Sequence, residues 1–249
     1  MIVIDEVTTM KAITAKEFNV AAINSIETSH PDLRQNSKGP TFALTFQGTY
    51  ITLMKNCGFS EEEAKAIYDN YHKLYKHSTE WVQDRLLQAC KVGYVELAFG
   101  LRMRTPLLAT TILNTSRTPY RAQKEARTAG NALSGQSYGL LNNRAAVAFM
   151  KKVYKSKWRY DIKPCALIHD AIYLIIKDDI ECLKFVNDNL IEEMRWQELP
   201  EIQHDEVKLG ANLEVYYPSW ATPIKLKNDI PQEEILATLH KAIVERGDK

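Results

Sequence analysis

The order of periodic segments predicts a mixed α/β or α+β protein whose first half is mostly helical. Three stretches carry that expectation. In "GFSEEEAKAIYDNYHKLYKHSTEWVQDRLLQACKVG", Ser60 and Glu63 form a capping box, a long amphipathic run follows, and Gly93 ends it. "GYVELAFGLRMRTP" alternates around Gly100 as a β-hairpin does. "CALIHDAIYLII" places two β-rich runs on either side of His169-Asp170, a hairpin signal with an unusual turn pair.

The remaining elements follow in order. "MIVIDEVTTMKAITAKEF" reads as a strand and a short helix. "SHPDLRQNSKGPTF" reads as a loop ending in a helix start, with Ser37 as cap and Pro40 in the first turn. Phe42, Leu44, Phe46, Tyr50 and Leu53 then make a helical stripe over 38–53. After the polar loop "LNTSRTPYR", helical patterns cover about 122–153 and about 179–196. "VKLGANLEVYYP" is a strand region, and a charged amphipathic helix covers about 231–247.

Composition narrows the function classes. The 249 residues are 45% hydrophobic, enough for one or two compact domains. A net charge of +1 gives no global polyelectrolyte character, so any nucleic-acid signal must lie in local charge placement. Cys57, Cys90, Cys165 and Cys182 are dispersed and form no CxxC pair, which disfavours a zinc site or disulfide framework. No signal peptide and no bilayer-spanning apolar run is read, so the expectation is a cytoplasmic protein with no membrane partner.

Several residues carry chemistry. Asp170 at a hairpin tip offers a hard oxygen to a divalent cation, and His169 beside it could meet a phosphate or a strand end. Read alone, the pair is more simply a turn. Arg34, Lys38, Phe42 and Phe46 recur every fourth residue and so share one helix face. With Lys38 in a first helical turn, that face becomes an anion site followed by aromatics able to stack on a base or sugar. The alternative is core aromatics and solvated cations. Basic residues recur through Arg102, Arg104, Arg117, Arg121, Lys124 and Arg127, then Arg144, Lys151, Lys152, Lys155, Lys157 and Arg159. They suit phosphate-backbone binding, or simply a wet helix face. Arg127, Asn131 and Gln136 could reach bases or sugars, or make buried hydrogen bonds.

Taken in order, these stretches resemble family A (pol I-type) DNA polymerases. "RQNSKGPTFALTFQG" resembles the nucleotide-binding helix, Arg-x3-Lys-x3-Phe/Tyr-x3-Tyr-Gly. "GYVELAFGLRMRTP" is similar to the "GYVET-x-GRRR-x-x-P" hairpin, and "EARTAGNALSGQS" to the "ERxAxNxPxQGT" helix. "LIHDAIYL" resembles the catalytic "HDE" hairpin, and "LGANLEVYYPSW" the last strand with its closing tryptophan. The wording "KGPTFALTFQGTY" looks closest to a phage branch. The resemblance covers about 24–220.

The implied class is α+β: mostly helical fingers (31–125), then the C-terminal part of a palm with its antiparallel catalytic hairpin (126–225). A lead segment (1–30) precedes them and a tail helix (226–249) follows. The resemblance implies that Arg34 and Lys38 hold the triphosphate of a dNTP and that Lys38 protonates the leaving pyrophosphate. Phe42 would discriminate against chain-terminating sugars, and Phe46 would stand beside the templating base. Arg127, Asn131 and Gln136 would contact primer–template DNA. His169 would approach the primer end, and Asp170 would bind catalytic Mg²⁺.

This sequence departs from the pattern in places. Phe46-Gln47 replaces Tyr-Gly, Ala171 replaces a carboxylate, and Gln136 lies one residue further from Asn131 than the family's glutamine. Only 33 residues precede Arg34, and none reads as the upstream "DxSxxExR" motif that supplies a second metal-binding aspartate. The expectation is therefore the C-terminal piece of a split phage polymerase, active in the host cytoplasm with an N-terminal fragment in trans. A non-catalytic DNA-binding remnant is the alternative; an unrelated metal-dependent nuclease ranks below both.

Overall fold

The computed structural model describes residues 26–200, 202–205 and 208–247. The expected strand and helix at the N-terminus lie outside the described residues. The chain is α+β and divides into two compact units. The first holds the described residues up to Val95 together with Arg104–Asn131. The second holds Glu96–Met103 and the chain from Ala132 onward.

In the first unit, a single turn α1 (Ile26–Ser29) precedes α2 (Pro31–Thr45), α3 (Tyr50–Cys57), α4 (Glu61–Leu74) and α5 (Lys76–Val92). Two expectations fail here. The helix carrying Lys38 starts at Pro31, seven residues early, because Pro31 supplies a preset φ in the first turn. Ser37 is therefore inside the helix and donates to the Arg34 carbonyl at 2.8 Å, and Pro40 is also interior. The expected helix over 38–53 breaks at Phe46–Thr49, and Thr49 restarts it as α3 with a capping box to Thr52. The Ser60–Glu63 capping box opens α4 as read. The long run it begins divides at Tyr75, whose backbone (φ −103, ψ 32) leaves the helical region although no glycine or proline marks the spot. Gly93 caps α5 in the left-handed conformation, φ 78. Leu44, Leu53 and Ala64 form a small core for α2–α4, ringed by Tyr50, Met54, Phe59 and Tyr71.

β1 (Tyr94–Glu96) and β2 (Arg102–Arg104) form the expected hairpin, its turn made by Phe99 and Gly100 at positive φ. Leu108 begins a short 3₁₀ turn whose first amide donates to Glu125 at 2.7 Å. Glu125 belongs to α6 (Tyr120–Lys155), a 36-residue helix.

Among its described residues, the second unit contains two further hairpins and two further helices. β3 (Ile162–Ile168) pairs antiparallel with β4 (Ala171–Ile176). β5 (Leu213–Tyr216) pairs with β6 (Pro223–Leu226), a strand that alternation had not marked. α7 (Ile180–Met194) follows β4 directly, and Asp179 caps it by accepting from the amides of Glu181 and Cys182 at 2.9 and 3.2 Å. Phe149, Val153, Trp158, Ile162, Val186 and Leu190 bury one core between α6, β3 and α7. α8 (Gln232–Arg246), the expected tail helix, buries Ile235 against Leu183, Leu226 and Ile230. No described helix is long and apolar enough to cross a membrane.

Candidate active site

The early start of α2 changes the character of its charged stripe. Arg34, Lys38 and Phe42 all lie within one continuous helix, four residues apart, and Arg34 and Phe42 are exposed. Lys38 is in mid-helix, so the unbonded amides expected beside it are not there. An anion on this face would meet side-chain cations, not helix-end N–H groups. Lys38 Nζ donates to Gln35 Oε1 at 2.9 Å, which holds the ammonium near the stripe. Phe42 and Phe46 continue it: their rings stack with centroids 6.2 Å apart and planes inclined by 13°. They are 57% and 43% exposed, so the core reading fails for this pair. Leu44, on the opposite side, anchors the helix in the small core.

The sharp exit from α2 fixes Phe46. Gln47 takes φ 64, a left-handed conformation that favours glycine. Gly48 must be glycine, since a Cβ there would stand 2.4 Å from the Ala43 carbonyl oxygen. Asn131 of α6, half-buried, reaches the same corner. With its amide turned toward its two acceptors, Nδ2 donates to the Phe46 carbonyl at 2.7 Å and the Arg127 carbonyl at 3.2 Å. Gly130 beside it leaves room for the Gln47 side chain, which a Cβ would approach to 3.0 Å. Arg127 is exposed, with its guanidinium 5.9 Å from the Tyr120 ring centroid. The first unit therefore gathers Arg34, Lys38, Phe42, Phe46, Arg127 and Asn131.

The second unit holds the other candidates. His169 and Asp170 are the two-residue turn between β3 and β4, beyond the last ladder pair Ile168↔Ala171. Both are exposed. His169 takes φ 53, which places Asp170 at the apex by a backbone conformation uncommon outside glycine. Asn142 of α6, 6% exposed, donates from Nδ2 to the carbonyls of His169 and Ala171, each at 3.3 Å. The only trace of this contact in the sequence was an asparagine among apolar helix positions in "LLNNRAA", too weak to read. Gln136 is exposed on α6, one residue before Ser137, whose Oγ accepts from the Ala98 amide.

Several of the recurrent cations are engaged within the protein. Arg102 pairs with Glu96 at 3.3 Å. Arg144 bonds Glu193 at 2.8 Å and lies 4.1 Å from the Trp196 ring centroid. Lys152 joins Glu192 and Glu193, and Lys157 joins Glu181 at 2.5 Å. These four are paired with carboxylates of the same chain. Arg104, Arg117, Arg121 and Lys124 are exposed on the first unit, as Arg127 is. Among the described residues, no group of three or more His, Cys, Asp or Glu side chains is placed to hold a metal ion.

The family model for DNA polymerase family A matches residues 10–221. The chain belongs to DNA polymerase family A. It is similar to DNA polymerase I of Pseudomonas aeruginosa, with 26% identity over 170 residues, 68% of this chain and 17% of that protein. Its fold is similar to the POL domain of Pol1 from M. smegmatis in complex with DNA primer-template and dNTP. That likeness has a TM-score of 0.57 at 21% identity and covers 74% of this chain and 30% of the other. The chain thus spans less than a third of either relative, and corresponds to the C-terminal portion of the family A polymerase domain.

Proposed function

We propose that this chain is the C-terminal fingers-and-palm portion of a DNA-directed DNA polymerase. It would transfer nucleotidyl groups from dNTPs to a primer 3′ end on template DNA. The observation that carries the reading is a cation–cation–aromatic stripe on a family A chain that also holds an exposed aspartate at a braced hairpin tip. Arg34 and Lys38 bind the triphosphate, with Lys38 as the proton donor to pyrophosphate. Phe42 lies against the sugar, and Phe46 beside the templating base. Arg127, Asn131 and Gln136 contact the primer–template, Asn131 through the backbone corner it braces. His169 meets the primer terminus.

Asp170 suits one position in the shell of a hard cation, since its carboxylate is exposed at the end of a two-stranded support. It makes one ligand, and Mg²⁺ there needs further oxygens. When bound, Mg²⁺ neutralises charge on the reacting phosphates. We propose that an N-terminal polymerase segment brings the second aspartate and the thumb, in trans, and that the chain comes from the phage branch indicated by "KGPTFALTFQGTY".

Primer extension tests this directly. The chain is assayed alone, with an N-terminal family A fragment, and as Asp170→Asn in the same mixture. Extension is expected only in the wild-type mixture. Robust Mg²⁺-dependent extension by the chain alone defeats the need for a complementing segment. DNA binding with no extension in any mixture supports the non-catalytic remnant instead.

A further inference from the structure

We infer that Asn142 is a positioning residue for Asp170, an inference that rests on the reading of Asp170 as a metal-binding carboxylate. Asn142 lies on the face of α6 that also buries Ala145, Ala146 and Phe149. A primary amide there is costly unless it is hydrogen-bonded. Its Nδ2 group donates outward to the hairpin, to the carbonyls of His169 and Ala171. The first carbonyl is in the peptide group that precedes Asp170 and the second lies one residue beyond it, so one amide ties the chain on both sides of the carboxylate.

The tip needs such a brace. The β3–β4 ladder ends at Ile168↔Ala171, so the backbone of His169 and Asp170 has no ladder partner. His169 in the left-handed region is a conformation that persists only where its surroundings hold it. Asn142 Oδ1 is buried and has no partner among the described residues. The side chain is therefore poorly satisfied as an acceptor while both donor contacts serve the hairpin. Leucine of similar volume would suit the apolar face better. α6 is a 36-residue helix with Phe149 and Val153 fully buried two and three turns on, so the amide sits on a rigid carrier. Asn142 touches neither metal nor DNA; it fixes the direction in which Asp170 leaves the chain.

The test reads the tip with and without synthesis. Amide hydrogen exchange at 169–172 is measured on the full chain as wild type, Asn142→Leu, Asn142→Asp and Asn142→Gln, with Asn143→Leu as an exposed neighbouring control. Loss of two weak hydrogen bonds should speed exchange by about tenfold at Ala171, the first ladder residue after the tip, in the leucine and aspartate variants. The glutamine variant, which keeps the donors, should recover part of the protection. In the complemented polymerase, the Mg²⁺ concentration for half-maximal extension should rise several-fold while the dNTP KM stays unchanged. Should Asn142→Leu not fold, Asn142→Ser gives the same readout in a smaller residue. Unchanged exchange at the tip overturns the inference, and so does a dNTP KM that rises in step with the Mg²⁺ requirement. If the wild-type mixture makes no DNA, the polymerase reading fails while the exchange measurement still decides the brace.

Discussion

The stripe on α2 and the tip of the β3–β4 hairpin both present charge to solvent, but they hold it differently. On α2 the scaffold is regular, and Arg34 and Lys38 reach outward on long flexible stems from backbone that the helix has already satisfied. At the hairpin the side chain is short and the backbone does the aiming, through a left-handed His169 and the amide of Asn142. Long cations on a helix tolerate small shifts of a phosphate. A carboxylate in the metal-binding role proposed for Asp170 tolerates less, so a stiffer support suits it. In each region, a helix asparagine braces the backbone: Asn131 at the Phe46 corner, Asn142 at the Asp170 tip.

The largest expected effect is at the stiff end. On the role proposed for Asp170, Asp170→Asn in the complemented polymerase should lower single-turnover extension by about a thousandfold or more, since a preorganised charge would be lost at the reacting centre. Thermal stability should be unchanged because the side chain is exposed. A loss under tenfold would place the metal-binding role elsewhere. At the flexible end, Lys38→Ala should cost about a hundredfold in kcat/KM for dNTP, with Arg34→Ala weaker and mainly in KM. Equal losses in both would contradict the division of roles between them.

The two units also differ in how their cores are built. Phe149→Ala should destabilise by about 3–5 kcal/mol and Leu53→Ala by about 2–5 kcal/mol, because both side chains are fully buried. Denaturant unfolding should show the leucine loss confined to probes in α2–α4, since that core is small. Asn131→Ala should cost about 1 kcal/mol by removing the donor at the Phe46 carbonyl. It should loosen the Phe42–Phe46 stack, read as increased mobility of both rings by NMR.

The smallest effect is acid sensitivity at the helix caps. Amide donors from Cys182 and Glu181 hold the Asp179 carboxyl below its ordinary value, and the Ser60 hydroxyl and amide do the same for Glu63. A depressed folded value gives stability that is present above the unfolded value and is lost as pH falls through the folded one. Melting temperature should therefore decline below about pH 4, the ordinary carboxylate range. Asp179→Asn should blunt that decline by preserving a neutral cap.

Local rules account for much of what was legible. A capping box needs four residues, and Ser60-to-Glu63 contains it. A hairpin around two residues needs only β-rich flanks, and "CALIHDAIYLII" has them. The four-residue repeat from Arg34 to Phe46 announced a shared face even though the helix start was misplaced. At the start of α2 two local signals competed: Pro31 could open a helix as readily as Ser37 could cap one, and the helix opens at Pro31. The break at Tyr75 and the short strand Pro223–Leu226 have no local marker at all.

The chain's order and spacing of motifs were enough to place it among family A polymerases and to nominate Arg34, Lys38, Phe42 and Asp170, because motif chemistry is carried by residue type and interval. Which groups brace those residues was settled only by folding. Asn142 stands 28 residues before Asp170, and Asn131 stands 85 after Phe46. A hydrogen bond across such intervals leaves no periodic trace, since its geometry exists only once α6 has packed against the turn that it holds.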